Sequence, residues 1–361
     1  MGRNLTMLHF NVLEKYPPAL NLISDLLIQK PDIKISVITS VNNSPFINQS
    51  FSGVKILRLG SSSKNAMLRY ASYLTYNFIG TLVLLIKRPD VVIVYETLSV
   101  LPAYVFARIF PKKKIHIHFH EYLSIPEKNG ASKYMKFLFK CEDMLLQKCT
   151  SSQTNEDRRE LFLKDNFKLK KQNVLVFPNM PPKSWWTEYG QHKKPWKGGK
   201  IKLVYVGVLD SETMFLEKVL QYVSQHPNEL ELTLFSQDVS LGATKLIAQF
   251  QSVNISLKSA LDYTTLPKEL IKHDIGLVLY KGHIPNYIYN IPNKVFEYLS
   301  CGLKVFGSNN IKSMQALNSK NVILFDMNDF FSLSIEDLKL FISKRNEAYM
   351  AKNKTMITQL F

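Results

Sequence analysis

The sequence predicts an α/β protein made of two successive units, each a parallel sheet covered by helices. Three observations carry this. Short runs of β-branched and apolar residues alternate with helical periodicity from Leu5 to Phe177, and again from Ile201 to Phe325, as strands buried on both faces do. Between the blocks lies Lys183 to Lys200, which holds Trp185, Trp186, Trp196, several lysines and paired glycines with neither period. Finally, 361 residues are long for one hydrophobic core and comfortable for two.

The first block reads as strand Leu5 to Val12, helix Pro17 to Lys30, strand Ile33 to Thr39, strand Val54 to Arg58 and a long helix Asn65 to Lys87. Strand Val91 to Tyr95, helix Ser99 to Phe110 and strand Lys114 to His120 follow. Then come the amphipathic, lysine-rich Ala131 to Lys148, the stretch Thr150 to Thr154, helix Glu156 to Leu163 and strand Asn173 to Phe177. Asn179, inside Pro178-Asn179-Met180-Pro181-Pro182, reads as a turn residue. In the second block, strand Ile201 to Val206 meets Gly207, where the backbone can approach a phosphate closely. Strand Leu230 to Phe235, helix Ala243 to Gln251, strand Asn254 to Leu257, helix Tyr263 to Lys272 and strand Ile275 to Tyr280 continue the alternation. Asn321 to Phe325 is a last strand and Ser334 to Tyr349 a last helix. No tandem repeat or low-complexity tract interrupts the chain.

Composition narrows the class. Hydrophobic residues make up 46% and charged residues 21%, the balance of a soluble globular protein. Cys141, Cys149 and Cys301 have no metal-ligand spacing and leave an odd thiol, which suits a reducing, cytoplasmic setting. The N-terminus reads as a buried strand, not a signal peptide or a myristoylation site, and Phe78 to Ile86 is too short to span a bilayer. Residues 1–183 carry 26 Lys and Arg against 13 Asp and Glu, which is +13 of the total +17. The partner of the first half is therefore expected to be anionic: a membrane surface, a lipid-linked phosphate or a nucleic acid.

Ile291 to Phe306 is the most informative stretch. Pro292 suits the first helical position and Gly302 the left-handed residue that ends a helix, with a buried strand from Leu303. A helix that starts so abruptly directs unpaired N–H groups and partial positive charge at whatever precedes it. The loop before it, Lys281 to Asn290, supplies a lysine, a histidine, two asparagines and two tyrosines other than Tyr280, a plausible anion pocket. Glu297 lies on the face of Lys294. Either the two pair on a solvated face, or Glu297 accepts both hydroxyls of a ribose while the helix start holds the attached phosphates.

In the first block, ligands are expected at the carboxyl ends of the strands, which singles out Glu96 and His118 to Tyr122. His116, His118 and His120 alternate along one strand face, as some zinc ligands do. No further clustered ligands accompany them, so no metal is expected, and His116 and His118 read as hydrogen-bonded at a sheet–helix contact. His120 lies at the strand end, within reach of chemistry. Glu96 reads equally as a site residue or a solvated loop carboxylate.

Pro292-Asn293-Lys294-x-x-Glu297-Tyr298-x-x-x-Gly302-x-x-Val305 resembles the donor-site signature of nucleotide-sugar glycosyltransferases with the GT-B fold, in the large retaining family 4 (group 1) type. His118-x-His120-Glu121-Tyr122 is similar to that family's segment in which a histidine approaches the donor sugar, and Glu96 matches a strand end close to the acceptor. The resemblance implies an α/β architecture of two Rossmann-like domains facing a cleft. Its expected parts are an acceptor domain over 1–182, a linker over 183–200, a donor domain over 201–340 and a terminal helix over 341–361 that crosses back to the first domain. It implies transfer of a sugar from a nucleotide-sugar to a glycan or lipid-linked acceptor with retention of configuration, without cofactor or metal, as in bacterial surface polysaccharide synthesis. His120, Glu121, Lys294 and Glu297 would be catalytic. Gly207, Ser211, Tyr280, Lys281, Asn286, Tyr287, Asn290, Asn293, Lys294 and Glu297 would bind the donor, with Tyr280 placed to stack on the base. Glu96 and His120 would face the acceptor.

Two departures stand out. The family's arginine and lysine after the glycine are replaced by Val208-Leu209-Asp210-Ser211-Glu212-Thr213, so Lys281 or Lys294 would have to neutralise the diphosphate. The family's first glutamate, eight residues before Glu297, is Tyr289. These departures motivate an alternative, a glycosyltransferase-shaped subunit without catalysis. The charge motivates another, a basic module binding a membrane surface or nucleic acid, although no nucleic-acid motif is present. A peripheral position at the inner face of the cell membrane is compatible with the enzyme reading.

Overall fold

In the computed structural model of the chain, residues 3–41, 48, 50–61, 65–250, 254–317, 319–327, 329 and 334–344 are described. The chain divides into two compact units, the first ending at Asn179 and the second beginning at Met180.

The first unit runs β1 (Asn4–His9), α1 (Pro17–Gln29), β2 (Lys34–Thr39), β3 (Val54–Arg58), α2 (Ala66–Lys87), β4 (Val91–Tyr95), α3 (Val100–Ile109), β5 (Lys114–His118), α4 (Ile125–Gly130), α5 (Lys133–Leu146), β6 (Thr150–Gln153), α6 (Glu156–Asp165) and β7 (Val174–Val176). The strands form one sheet in the order β3-β2-β1-β4-β5-β6-β7, every adjacent pair parallel. Every residue of β4 is buried, as expected of a central strand with helices on both faces. Helix starts follow the side chains that cap them. The Asn65 carbonyl accepts from the Met67 and Leu68 N–H groups, and Ser132 caps α5 through Met135. Such caps satisfy donors that a helix start leaves unpaired.

The second unit runs α7 (Lys183–Glu188), β8 (Ile201–Val206), α8 (Leu216–Gln225), β9 (Leu230–Phe235), α9 (Leu241–Gln249), β10 (Ile255–Lys258), α10 (Leu266–Leu270), β11 (Ile275–Val278), α11 (Pro285–Ile288), α12 (Asn293–Ser300), β12 (Lys304–Ser308), β13 (Val322–Phe325) and α13 (Ile335–Ser343). Its six strands lie in the order β10-β9-β8-β11-β12-β13, again all parallel. Both sheets reverse strand order once, between β1 and β4 in the first and between β8 and β11 in the second. The carboxyl ends of those strands are where open parallel sheets form a ligand crevice.

Several expectations need correction. Lys183 to Lys200 is not aperiodic throughout. Its first part folds as α7, Trp185 is buried in the second unit's core, and Trp196 packs against that unit's other apolar cluster. The indoles have enough apolar area to recruit the segment to one unit. Helix α8 was not foreseen, although Leu216, Val219, Leu220 and Val223, all buried, carry its period. The helix expected over 263–272 shrinks to α10, because Pro267 suits only a first turn. β1 stops at His9 and β5 at His118, which leaves His120 on a loop. The last helix ends at Ser343 with Phe341 stacked on Phe306 of its own unit. Its expected extension to Tyr349, and the return of 341–361 to the first unit, lie outside the described residues beyond Lys344.

Candidate functional site

In the second unit the candidate residues gather at the β8/β11 switch point. Pro292 is the residue before α12, not its first helical residue as expected, with φ −60° and ψ 141°, and no side chain caps the helix start. The N–H groups of Asn293 and Lys294 are therefore available to an anion, whereas that of Val295 donates to the Pro292 carbonyl at 3.0 Å. At the other end Gly302 takes φ +74°, and the Leu303 N–H bonds back to the Tyr298 carbonyl at 2.9 Å, closing the helix as its glycine predicted.

Lys294 and Glu297 are 8% and 6% exposed, so neither lies on a solvated face. The Lys294 ammonium stands 4.0 Å from the centroid of the Tyr205 ring and 5.2 Å from that of Tyr280, a cation–π arrangement. Among the described residues Lys294 and Glu297 form no ion pair within 4 Å. Burial pulls the lysine down to about 7 and pushes the glutamate up to about 7, and the charge of each partly offsets the other's shift. Gly207 has φ +128°, and a Cβ there would lie 3.0 Å from Lys294 Nζ. Glycine thus serves both the backbone turn and the lysine's place beside it.

Two tyrosines that sequence reasoning missed build this recess. The Tyr298 hydroxyl accepts the Val206 N–H at 3.1 Å, and Tyr205 donates to the Val208 carbonyl at 2.9 Å. Together they pin the end of β8. The signal for Tyr205 was a tyrosine at a core position of an apolar strand. Tyr298 stood within the Pro292 to Val305 signature itself, and Gly276 makes room for it, since any Cβ there would lie 2.1 Å from the Tyr298 ring.

Other expected donor residues are placed differently. The Lys281 ammonium donates to the Ser211 carbonyl at 2.9 Å, which leaves Lys294 as the cation that faces Gly207. Ser211 Oγ packs on Gly242, where a Cβ would lie 2.2 Å away. Tyr280 is stacked on Tyr287, centroids 4.7 Å apart and planes within 8°, so its ring already has an aromatic neighbour. Asn286 and Tyr287 lie on α11, and Asn290 and Asn293 flank Pro292; all four are half-buried.

In the first unit, Glu96 follows β4 in a left-handed conformation, φ +64°, costly for a non-glycine residue. One oxygen, Oε1, accepts three bonds: the His120 N–H at 2.5 Å, the Glu121 N–H at 3.1 Å and the Tyr16 hydroxyl at 3.1 Å. Burial and the neighbouring Glu121 carboxylate raise Glu96 to about 7, against the two N–H bonds and Arg158. Glu96 is therefore an anchored group rather than a solvated one. Glu121 itself is exposed and joins the constellation through its backbone. Arg158, fully buried and missed from sequence, donates to the His120 carbonyl at 2.7 Å. His120 is half-buried, tilted against Tyr16 at 4.8 Å. Burial, aided by His118, Arg158 and His9, lowers it to about 3. Asn179 is more than a turn residue: its side-chain nitrogen lies 2.7 Å from His120 Nδ1. His116 and His118 bond to Thr150 and Ser152 of β6, within the sheet rather than to a helix. Among the described residues no group of three or more His, Cys, Asp or Glu is placed to hold a metal ion.

No protein-family model and no curated protein matches this chain. Solved structures do. Sucrose-phosphate synthase from Thermosynechococcus elongatus superposes with a TM-score of 0.66 at 12% identity over 94% of this chain and 91% of its own. The fold is GT-B. Trehalose-6-phosphate synthase of E. coli with UDP-2-fluoro glucose gives 0.62 at 13% identity, covering 94% of both chains. The lipopolysaccharide outer core galactosyltransferase WaaB gives 0.57 at 14% identity over 94% and 90%. A UDP-N-acetylglucosamine 2-epimerase from Listeria monocytogenes also matches, at 0.62 and 12% identity over 96% and 91%. At such identity the likeness is one of GT-B architecture, and the chemistry has to be argued from the side chains.

Proposed function

We propose that this chain is a glycosyltransferase that moves a sugar from a nucleotide-sugar to a glycan or lipid-linked acceptor with retention of configuration. The observation that carries the reading is the uncapped start of α12 with Lys294 and Glu297 buried behind it, at the second sheet's switch point. The helix N–H groups and Lys294 receive the diphosphate, whose charge grows as the sugar departs. Glu297, within one turn, accepts the ribose hydroxyls. The second unit thus holds the donor, and the basic first unit, with His120 and Glu96, the acceptor. The leaving diphosphate takes the acceptor proton, so the chemistry requires neither a protein base nor a metal. Surface polysaccharide assembly is the setting this suits.

The exposed side of α2 supports a place at an anionic membrane. Met67, Leu74, Phe78 and Ile86 are all well exposed on it, in the half of the sequence that carries most of the positive charge. No described helix is long and apolar enough to cross a membrane.

Isothermal titration with nucleoside diphosphates and their sugars, followed by transfer assays on any binder, tests the proposal. Binding that falls at least tenfold in Glu297→Ala, with sugar transfer in the native chain, is the expected result. Unchanged binding in a folded Glu297→Ala protein would sink it. Binding without turnover would favour the non-catalytic subunit, which the missing cations after Gly207 motivate. Epimerised sugar would favour chemistry like that of the epimerase with the same fold.

A further inference from the structure

Behind His120 runs a buried polar chain that the reading above does not use. Thr150 Oγ1 lies 2.9 Å from His116 Nδ1, His116 Nε2 lies 2.8 Å from Ser152 Oγ, and Ser152 Oγ lies 2.8 Å from His118 Nδ1. Asn179 also stands close enough to His118 to raise its pKa, and its amide nitrogen is 2.7 Å from His120 Nδ1. Five side chains thus connect β6 to the candidate site.

The protons on this chain are not free to be placed at will. A hydroxyl carries one hydrogen and a neutral imidazole one N–H. Burial keeps all three imidazoles neutral, lowering His116 to about 3, His118 to about 4 and His120 to about 3. The Asn179 amide nitrogen, which can only donate, lies against His120 Nδ1, so that nitrogen accepts. With its proton on Nε2, His118 accepts at Nδ1 from the Ser152 hydroxyl. Ser152 in turn accepts from His116 Nε2–H, and His116 accepts from Thr150. This ordering satisfies every link and ends with His120 Nδ1 as the acceptor that the Asn179 amide requires. The Nε2 atom of His120 has no hydrogen bond among the described residues.

We propose that Asn179, backed by His118 and Ser152, holds His120 as the neutral Nε2–H tautomer, so that its outer nitrogen donates to a hydroxyl or phosphate oxygen of the bound sugar and does not act as a base. Asn179, His118 and Ser152 are positioning residues. The charged and titratable groups around the ring agree with this assignment. Arg158 and His9 disfavour a second positive charge there. Tyr16 packs on the ring, and Glu96 takes the backbone N–H rather than the imidazole. The consequence for a sugar rests on the proposed function, but the tautomer is a property of the unliganded chain.

The experiment is long-range proton–nitrogen correlation on the full chain carrying nitrogen-15 histidine, with His120 assigned by the signals lost in His120→Gln. A neutral Nε2–H form persisting from pH ~5 to ~8 is expected. In Asn179→Asp a carboxylate would accept from Nδ1–H, so the proton is expected to move to Nδ1 and the imidazole to begin titrating within that window. A native His120 protonated at Nδ1, or one that titrates there, overturns the proposal. So does an unmoved tautomer in folded Asn179→Asp; if that variant fails to fold, the native spectrum decides alone. Nε2–H without sugar transfer from any nucleotide-sugar would leave the tautomer standing and remove the proposed function, whereas Nδ1–H in an active transferase would remove only the tautomer.

Discussion

The Lys294 ammonium lies 4.0 Å above the Tyr205 ring and 3.0 Å from where a Cβ of Gly207 would stand. A cation is thus held against an aromatic face at a point where the backbone carries no side chain. Burial costs Lys294 more than the nearby Glu297 charge restores, which is why it is brought down to about 7.

Proton uptake on binding follows. In the free protein near neutral pH Lys294 is partly deprotonated, whereas a diphosphate beside it favours the ammonium. Nucleoside diphosphate binding is expected to take up a fraction of a proton, and affinity is expected to weaken as pH rises above about 7. Calorimetry in two buffers of different ionisation enthalpy measures the uptake directly. Lys294→Met should remove the lysine's share of the uptake and weaken binding by about tenfold to a hundredfold, the range of a charge-assisted hydrogen bond of about 1.5–3 kcal/mol. Equal heats in both buffers would count against the lysine's role.

Gly207→Ala tests the room beside that lysine. The φ of +128° is strained for any residue with a Cβ, and the new methyl group would meet Lys294 Nζ. Stability is expected to fall by roughly 1–2 kcal/mol, with a larger relative loss of nucleotide affinity because the lysine is displaced. Urea unfolding and calorimetry on the same variant separate the two effects.

Much of this was legible before any coordinates. Both sheets follow from runs such as Val91 to Tyr95, because strands buried on two faces have little choice of composition. The ends of α12 were written in Pro292 and Gly302, although proline stands one position earlier than expected, in the extended conformation it tolerates equally well. Less legible were contacts between residues distant in sequence. Nothing local marks Arg158 as the partner of the His120 carbonyl, 38 residues away, nor Asn179 as the partner of its ring, 59 residues away. The candidate cation could not be chosen from sequence either. Lys281 and Lys294 flank the same loop, and the bond from Lys281 to the Ser211 carbonyl together with the place of Lys294 beside Gly207 separates them.

Tyr298 couples α12 to the end of β8, and its hydroxyl is the test. Tyr298→Phe leaves the partly buried Val206 N–H without this acceptor, an expected loss of about 0.5–1.5 kcal/mol. Gly276→Ala should be worse. Its methyl group would overlap the same ring, forcing backbone or side-chain shifts that cost about 1–3 kcal/mol or more. If Tyr298→Phe unfolds at the native urea midpoint, the hydroxyl is not what holds the strand end.

Glu96 gives the last prediction, and its sign is opposite to that of a carboxylate in an ion pair. Its folded-state pKa is raised from 4.5 to about 7. The stability it contributes is therefore fully present below pH ~4.5 and is lost as pH rises through about 7, because the folded chain must then hold a buried anion that the unfolded chain solvates. Glu96→Gln keeps the oxygen that accepts from Tyr16, His120 and Glu121 while removing the charge. The variant is expected to melt above the native chain at pH ~8 and to converge with it near pH ~5. Differential scanning fluorimetry across that range measures the crossing. A variant less stable than the native chain at pH ~8 would mean that the three donors bind an anion strongly enough to outweigh its desolvation, and Glu96 would then stay charged at neutral pH.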